Sequence, residues 1–145
     1  MALYLFDRRS PKRGRTGATA IEFALCAQVL FAMIIGGLEF SRLHMIRNLA
    51  QDAAYYAARD SMVPGATEAE AIAVANQILG YMDTQGANVV INDGLGLNED
   101  SEEINVSITV PLGDNALFTS SILDGLEFEA NATMRTERYD GYYSD

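Results

Sequence analysis

ATAIEFALCAQVLFAMIIGGL, residues 18–38, is a run whose length and apolarity constrain everything around it. As a helix, its 21 residues extend about 31 Å at ~1.5 Å per residue, close to the ~30 Å hydrocarbon thickness of a bilayer. Glu22 and Gln28 are its only strongly polar members, and at six positions apart they do not share a helical face. Glu39 and Arg42 follow immediately, spaced three apart so that they can pair at the far interface. The run is therefore expected to be a single transmembrane helix.

Charge divides sharply across this run. Residues 1–17 carry Arg8, Arg9, Lys12, Arg13 and Arg15 against Asp7, a net of +4, whereas the remaining 128 residues carry a net of −14. Lys and Arg beside a span tend to stay on the cytoplasmic side, which predicts a cytoplasmic N-terminus and an exported acidic body. Such a body would repel phosphates, so nucleic acid is not an expected partner. The single cysteine, Cys26, excludes an intrachain disulfide.

A cleaved secretory signal competes with this reading. It would place a small-residue cleavage site after a shorter apolar stretch, but here Glu39-Phe40-Ser41-Arg42 follows, and the small triplet Ala18-Thr19-Ala20 lies on the wrong side. An uncleaved anchor is the other competitor. Gly17-Ala18-Thr19-Ala20-Ile21-Glu22, with a glycine ending the basic stretch and a carboxylate five positions on, resembles the processing site of type IV prepilins and pseudopilins. That resemblance implies a prepilin peptidase cutting between Gly17 and Ala18. An ionisable side chain inside a span is costly and reads as functional by default. Cleavage would free an amine on Ala18 one helical turn from Glu22. The resemblance further implies that in a filament the partner could be a neighbouring subunit's amine. A Glu22 that merely snorkels to the headgroups is the plainer account.

Helical periodicity continues beyond the membrane: Phe40, Leu43, Ile46, Leu49, Ala50, Ala53, Ala54 and Ala57 recur at three- and four-residue steps, and Pro64-Gly65 stops the pattern. The helix is expected to continue over 39–62. Gly36-Gly37 is either a weak point or a place for close helix packing. Thr67-Glu68-Ala69-Glu70 is a capping box opening a second helix over 67–83, with Ile72, Ala75, Leu79 and Met82 as its buried stripe. From 86 to 137 the period changes to two. Asn88–Asn92 is a short strand, Ile104, Val106, Ile108 and Val110 alternate with polar residues, and so do Phe128, Ala130, Ala132 and Met134. The expected fold class is α+β and pilin-like: a long N-terminal membrane helix running into a small exported domain, 39–137, with a second helix and a three-stranded, mainly antiparallel sheet. Residues 138–145 are expected to form a flexible tail.

Catalytic chemistry finds no support. His44 is the lone histidine, so neither the usual zinc site nor a Cys/His pair can be assembled. Oxygen-bearing side chains concentrate in the loop Asp93–Glu103. They permit a calcium reading, but the spacing is not that of an EF-hand, and a solvated acidic turn is the simpler account. No enzyme activity and no cofactor are expected.

Three motifs narrow the resemblance. Residues 17–24 (GATAIEFA), residues 37–42 (GLEFSR) and residues 132–137 (ATMRTE) resemble the TadE family, minor pseudopilins of the tight-adherence (Flp-type) pilus system; the TadF and TadG groups share parts of this pattern. Flp major pilins usually carry tyrosine after the glutamate and are much shorter, whereas this chain has Phe23 and a sizeable exported domain. The resemblance implies a basic cytoplasmic leader at 1–17 removed by the prepilin peptidase, and residence in the bacterial inner membrane. It also implies work alongside major and other minor pilins and the inner-membrane assembly platform, with surface attachment and biofilm formation downstream. On it, Gly17, Ala18 and Glu22 form the processing site, while Glu22, Phe23, Glu39 and Arg42 serve assembly and membrane seating. The alternative from another class is an uncleaved single-pass protein whose periplasmic module binds a ligand or a protein.

Overall fold

A computed structural model of the chain describes residues 16–97 and 103–136. The basic leader up to residue 15, the centre of the acidic loop at 98–102 and the tail at 138–145 lie outside the described residues. The order of elements is α1 (Thr16–Ser61), α2 (Glu68–Leu79), β1 (Asn88–Ile91), β2 (Glu103–Pro111), α3 (Leu112–Asn115), α4 (Ser120–Leu123) and β3 (Glu127–Arg135). The architecture is α+β, as the periodicities predict.

Contacts divide the chain into two units, Met1–Gly36 and Gly37–Asp145. In the first, the described residues are the membrane-length part of α1, and its apolar side chains stand uncovered: Ile21, Phe23, Leu25, Val29, Leu30 and Phe31 are all exposed. A helix that is apolar on all sides belongs in lipid or inside a protein, because in water it would gain nothing by folding alone.

The second unit has its own core. Ile46, Ala50, Ala53, Ala54, Ala57 and Ala58 of α1 are buried together with Ala71, Ala75 and Leu79 of α2 and the inward side chains of the sheet. Alanine at these α1 positions removes side-chain bulk, so the helix backbone can approach its neighbours closely. Helix α1 ends at Ser61, whose buried hydroxyl donates to the Ala57 carbonyl at 2.8 Å. Gly65, at φ +85°, then turns the chain toward α2. Both halves of the predicted capping box form: the Glu70 amide donates to the Thr67 hydroxyl at 3.3 Å, and the Thr67 amide donates to the Glu70 carboxylate at 3.0 Å. The second helix closes with a single tight turn at Gly80–Met82.

The sheet has the order β1-β2-β3, with both pairings antiparallel. Central β2 alternates strictly, with Ile104, Val106, Ile108 and Val110 buried. Facing them in register are Met134, Ala132, Ala130 and Phe128 of β3. The opposite face is polar: Ser107 donates to Glu129 at 3.1 Å, and Asn131 donates to the same carboxylate oxygen at 3.2 Å. One glycine is required by its surroundings. Gly86 has φ +67°, and a Cβ there would sit 2.9 Å from Pro111 Cγ at the end of β2.

Two features depart from the periodic pattern. Phe40, placed by its spacing on the buried stripe, is 72% exposed, and among the apolar side chains of α1 burial begins at Ile46. The β2–β3 connection, which carries no repeat of either period, folds into the two short helices α3 and α4.

Candidate functional site

In the first unit, Gly17 to Phe23 lie in the opening turns of α1 and are all exposed. Among the described residues, nothing lies within 4 Å of where a Cβ on Gly17 would stand. Ala18 and Glu22 are four residues apart on this helix, which places them on one face about 6 Å apart along the axis. Phe23 is 75% exposed next to Glu22. The carboxylate thus stands among uncovered apolar side chains.

The second unit contains a cluster that local patterns do not reveal. Glu39, the first residue beyond the apolar run, is only 5% exposed. Its carboxylate accepts from the Leu117 amide at 3.0 Å, the Phe118 amide at 3.1 Å and the Thr119 hydroxyl at 2.7 Å. Burial pushes its pKa up, but the bonds from the Thr119 hydroxyl and from the Phe118 and Leu117 amides outweigh burial and hold it below the ordinary value. A buried ion pair is therefore unnecessary: backbone and hydroxyl dipoles stabilise the anion.

Arg42, one turn along, donates from Nε to the Asn115 carbonyl at 2.9 Å. The expected pairing of Glu39 with Arg42 is thus corrected. Both side chains reach the β2–β3 connection instead, because its free amides, hydroxyl and carbonyl lie beside this face of α1.

Asn115 is the hub of that connection. It is fully buried, and its Oδ1 accepts from the Gln85 amide at 2.8 Å while Nδ2 donates to the Gln85 and Pro111 carbonyls at 2.9 and 2.7 Å. The Gly113-Asp114-Asn115 sequence after Pro111 carries turn character, the one local hint that this segment is ordered. Its partners at 39, 42 and 85 are too distant in sequence to have been read.

Elsewhere, His44 stacks on Phe40 with ring centroids 6.0 Å apart, and the Arg47 guanidinium lies 5.1 Å from the Phe128 ring centre. Just before the loop read for calcium, Asn92 Oδ1 accepts from the Asn105 amide at 2.8 Å, and Asn92 Nδ2 donates to the Gly96 carbonyl. Among the described residues, no group of three or more His, Cys, Asp or Glu side chains converges as metal ligands would.

Comparison with known families gives one result. Residues 17–59 match the family model described as TadE-like protein, the same family that the GATAIEFA and GLEFSR motifs resemble. The match begins at Gly17, runs the length of α1, and ends before α2 and the sheet. Among described helices, α1 is long and apolar enough to cross a membrane. No curated protein and no solved structure matches the chain.

Proposed function

We propose, from the TadE-like match over residues 17–59, that this chain is a minor pseudopilin of a tight-adherence pilus system. In this reading it is made with a basic cytoplasmic leader, cut after Gly17 by a prepilin peptidase, and held in the bacterial inner membrane by residues 18–38 with its α+β domain outside. There it takes part in pilus assembly with the major pilin, other minor pilins and the assembly platform, in support of surface attachment and biofilm formation. The role needs no catalytic centre and no cofactor.

The observation that carries this reading is the coincidence of three features at one point. The family match starts at Gly17; Gly17 and the residues after it to Phe23 are exposed; and Glu22 lies one turn beyond the amine that cleavage would create. That amine would become the first group of the mature helix. A carboxylate in the opening turns of a helix is favoured by the dipole, and the nearby ammonium adds a direct counter-charge.

The test is N-terminal sequencing of the chain extracted from native membranes, with Gly17→Ala beside it. The expected mature N-terminus is Ala18, and Gly17→Ala should accumulate with its leader. Among the described residues nothing lies within 4 Å of the added methyl, and alanine favours the helix by ~1 kcal/mol over glycine, so accumulation would report lost peptidase recognition and not misfolding. A wild-type chain that keeps residues 1–17 would instead point to an uncleaved membrane-anchored binding module.

A further inference from the structure

We infer that the α3–α4 connection, through Leu117, Phe118 and Ile122, is a second membrane contact that seats the domain in the outer headgroup layer beside the exit of α1. The inference rests on residues 18–38 lying in lipid and on no other part of the proposed function.

The level of the connection follows from its attachments. The apolar run ends at Leu38, and the headgroup region adds roughly 5–8 Å on each side of the hydrocarbon core. At ~1.5 Å per residue, positions 39 to about 43 of α1 occupy that layer. The connection is fastened within this window: Leu117, Phe118 and Thr119 to the Glu39 carboxylate, and Asn115 to Arg42. Side chains exposed on it therefore face interfacial lipid. Phe118 is 61% exposed, Ile122 is 78% exposed, and Leu117 is also open. Bulky apolar side chains concentrated on one short surface segment mark a contact region, and at this depth the available apolar medium is the acyl boundary.

A second observation points the same way. Backbone amides have to be satisfied within the protein where water is scarce. Leu117 and Phe118 donate to Glu39, Ile122 and Leu123 to the Thr119 carbonyl, Leu112 to the Leu126 carbonyl, and Leu126 to the Leu123 carbonyl. The nearest charges on the connection, Asp114 and Asp124, are both acidic, so apolar burial and not attraction to anionic lipid would hold it.

The chain has no tryptophan, which allows single reporters in the full-length protein. Phe118→Trp and Ile122→Trp would be reconstituted in phosphatidylcholine vesicles containing lipids brominated either near the headgroup end or near the middle of the acyl chain. Leu30→Trp reports the span, and Tyr56→Trp, exposed on α1 roughly 25 Å beyond Glu39, reports the aqueous side. Phe118→Trp and Ile122→Trp should lose most of their emission to the shallow bromines and little to the deep ones. Leu30→Trp should respond most to the deep bromines, and Tyr56→Trp should be quenched by aqueous iodide only. Quenching of both 118 and 122 reporters by iodide and not by bromolipid would overturn the inference. Protection of both from either quencher would also overturn it, because a protein surface, such as a second copy, would then cover the segment. If Leu30→Trp escapes the bromines, the span itself is refuted and the inference falls with it.

Discussion

The Glu39 carboxylate and the Thr119 hydroxyl, 80 positions apart in the chain, meet at 2.7 Å. This bond and the two amide bonds beside it tie the start of the domain's helix to the connection between β2 and β3. The first residue beyond the apolar run is thereby also the residue that holds the β2–β3 connection. A carboxylate left unpaired there would be costly, and so would two amides without an acceptor.

Removing that acceptor should loosen the connection. Glu39→Ala leaves the Leu117 and Phe118 amides and the Thr119 hydroxyl without their partner, an expected loss of about 1–3 kcal/mol. Glu39→Gln keeps one acceptor oxygen and should lose less. Hydrogen exchange over 112–126 is the direct readout, with faster exchange in the alanine variant and little change over 68–79. Unchanged protection at 117 and 118 would show that other groups hold the segment.

The same carboxylate should make the connection sensitive to acid. Its folded pKa lies below the ordinary 4.5, because bonds from Thr119, Phe118 and Leu117 outweigh the opposing effect of burial. A depressed carboxylate contributes its full stabilisation above the unfolded pKa and loses it as pH falls through the lower folded value. Exchange protection over 112–126 should therefore hold at neutral pH and decline below about 4.5 in the wild type. In Glu39→Gln that step should be missing, and the difference between the two profiles isolates Glu39 from the other carboxylates.

Much of the fold is legible because its determinants are local. The alternation at 104, 106, 108 and 110 places one face of β2 inward whatever the strand pairs with, and Thr67 with Glu70 marks a helix start within a single turn. The alanines at 50, 53, 54 and 57 show a buried face through spacing alone. Phe40 fits that same spacing yet is exposed, because the β2–β3 connection covers the neighbouring Glu39 and the apolar core of the domain takes in α1 only from Ile46. Glu39, Arg42 and Asn115 were beyond local reading for another reason. Their partners are set by how the β2–β3 connection returns to α1, and a carboxylate bound by amides looks in sequence like one prepared for an arginine.

The capping box gives an independent check on the local reading. Thr67→Ala removes the acceptor of the Glu70 amide and should destabilise the domain by ~1 kcal/mol, whereas Thr67→Ser should restore most of it. Thermal unfolding of the detergent-solubilised chain would register the difference. Equal midpoints for the alanine and serine variants would mean that packing of Ala71, Ala75 and Leu79 fixes the helix start without the cap.

On the proposed function, substitution of Glu22 should separate processing from assembly. It lies on the same face of α1 as Ala18 and is exposed among apolar side chains. An acidic group well inside a span costs up to ~3 kcal/mol on insertion scales, so Glu22→Gln should insert at least as readily as the wild type. It alters neither Gly17 nor the basic residues before it, and the N-terminus should still become Ala18. What the substitution removes is the anion that would meet an Ala18 ammonium, in the same chain or in a neighbouring one. The expected result is a correctly cut, membrane-resident chain that fails to restore pilus number in a strain lacking the wild-type copy. Counting surface pili and sequencing the N-terminus in the same cells reads both steps. Full pilus number in the Glu22→Gln strain would show that assembly does not depend on the charge, and a blocked cut would place Glu22 in the peptidase's recognition of the leader.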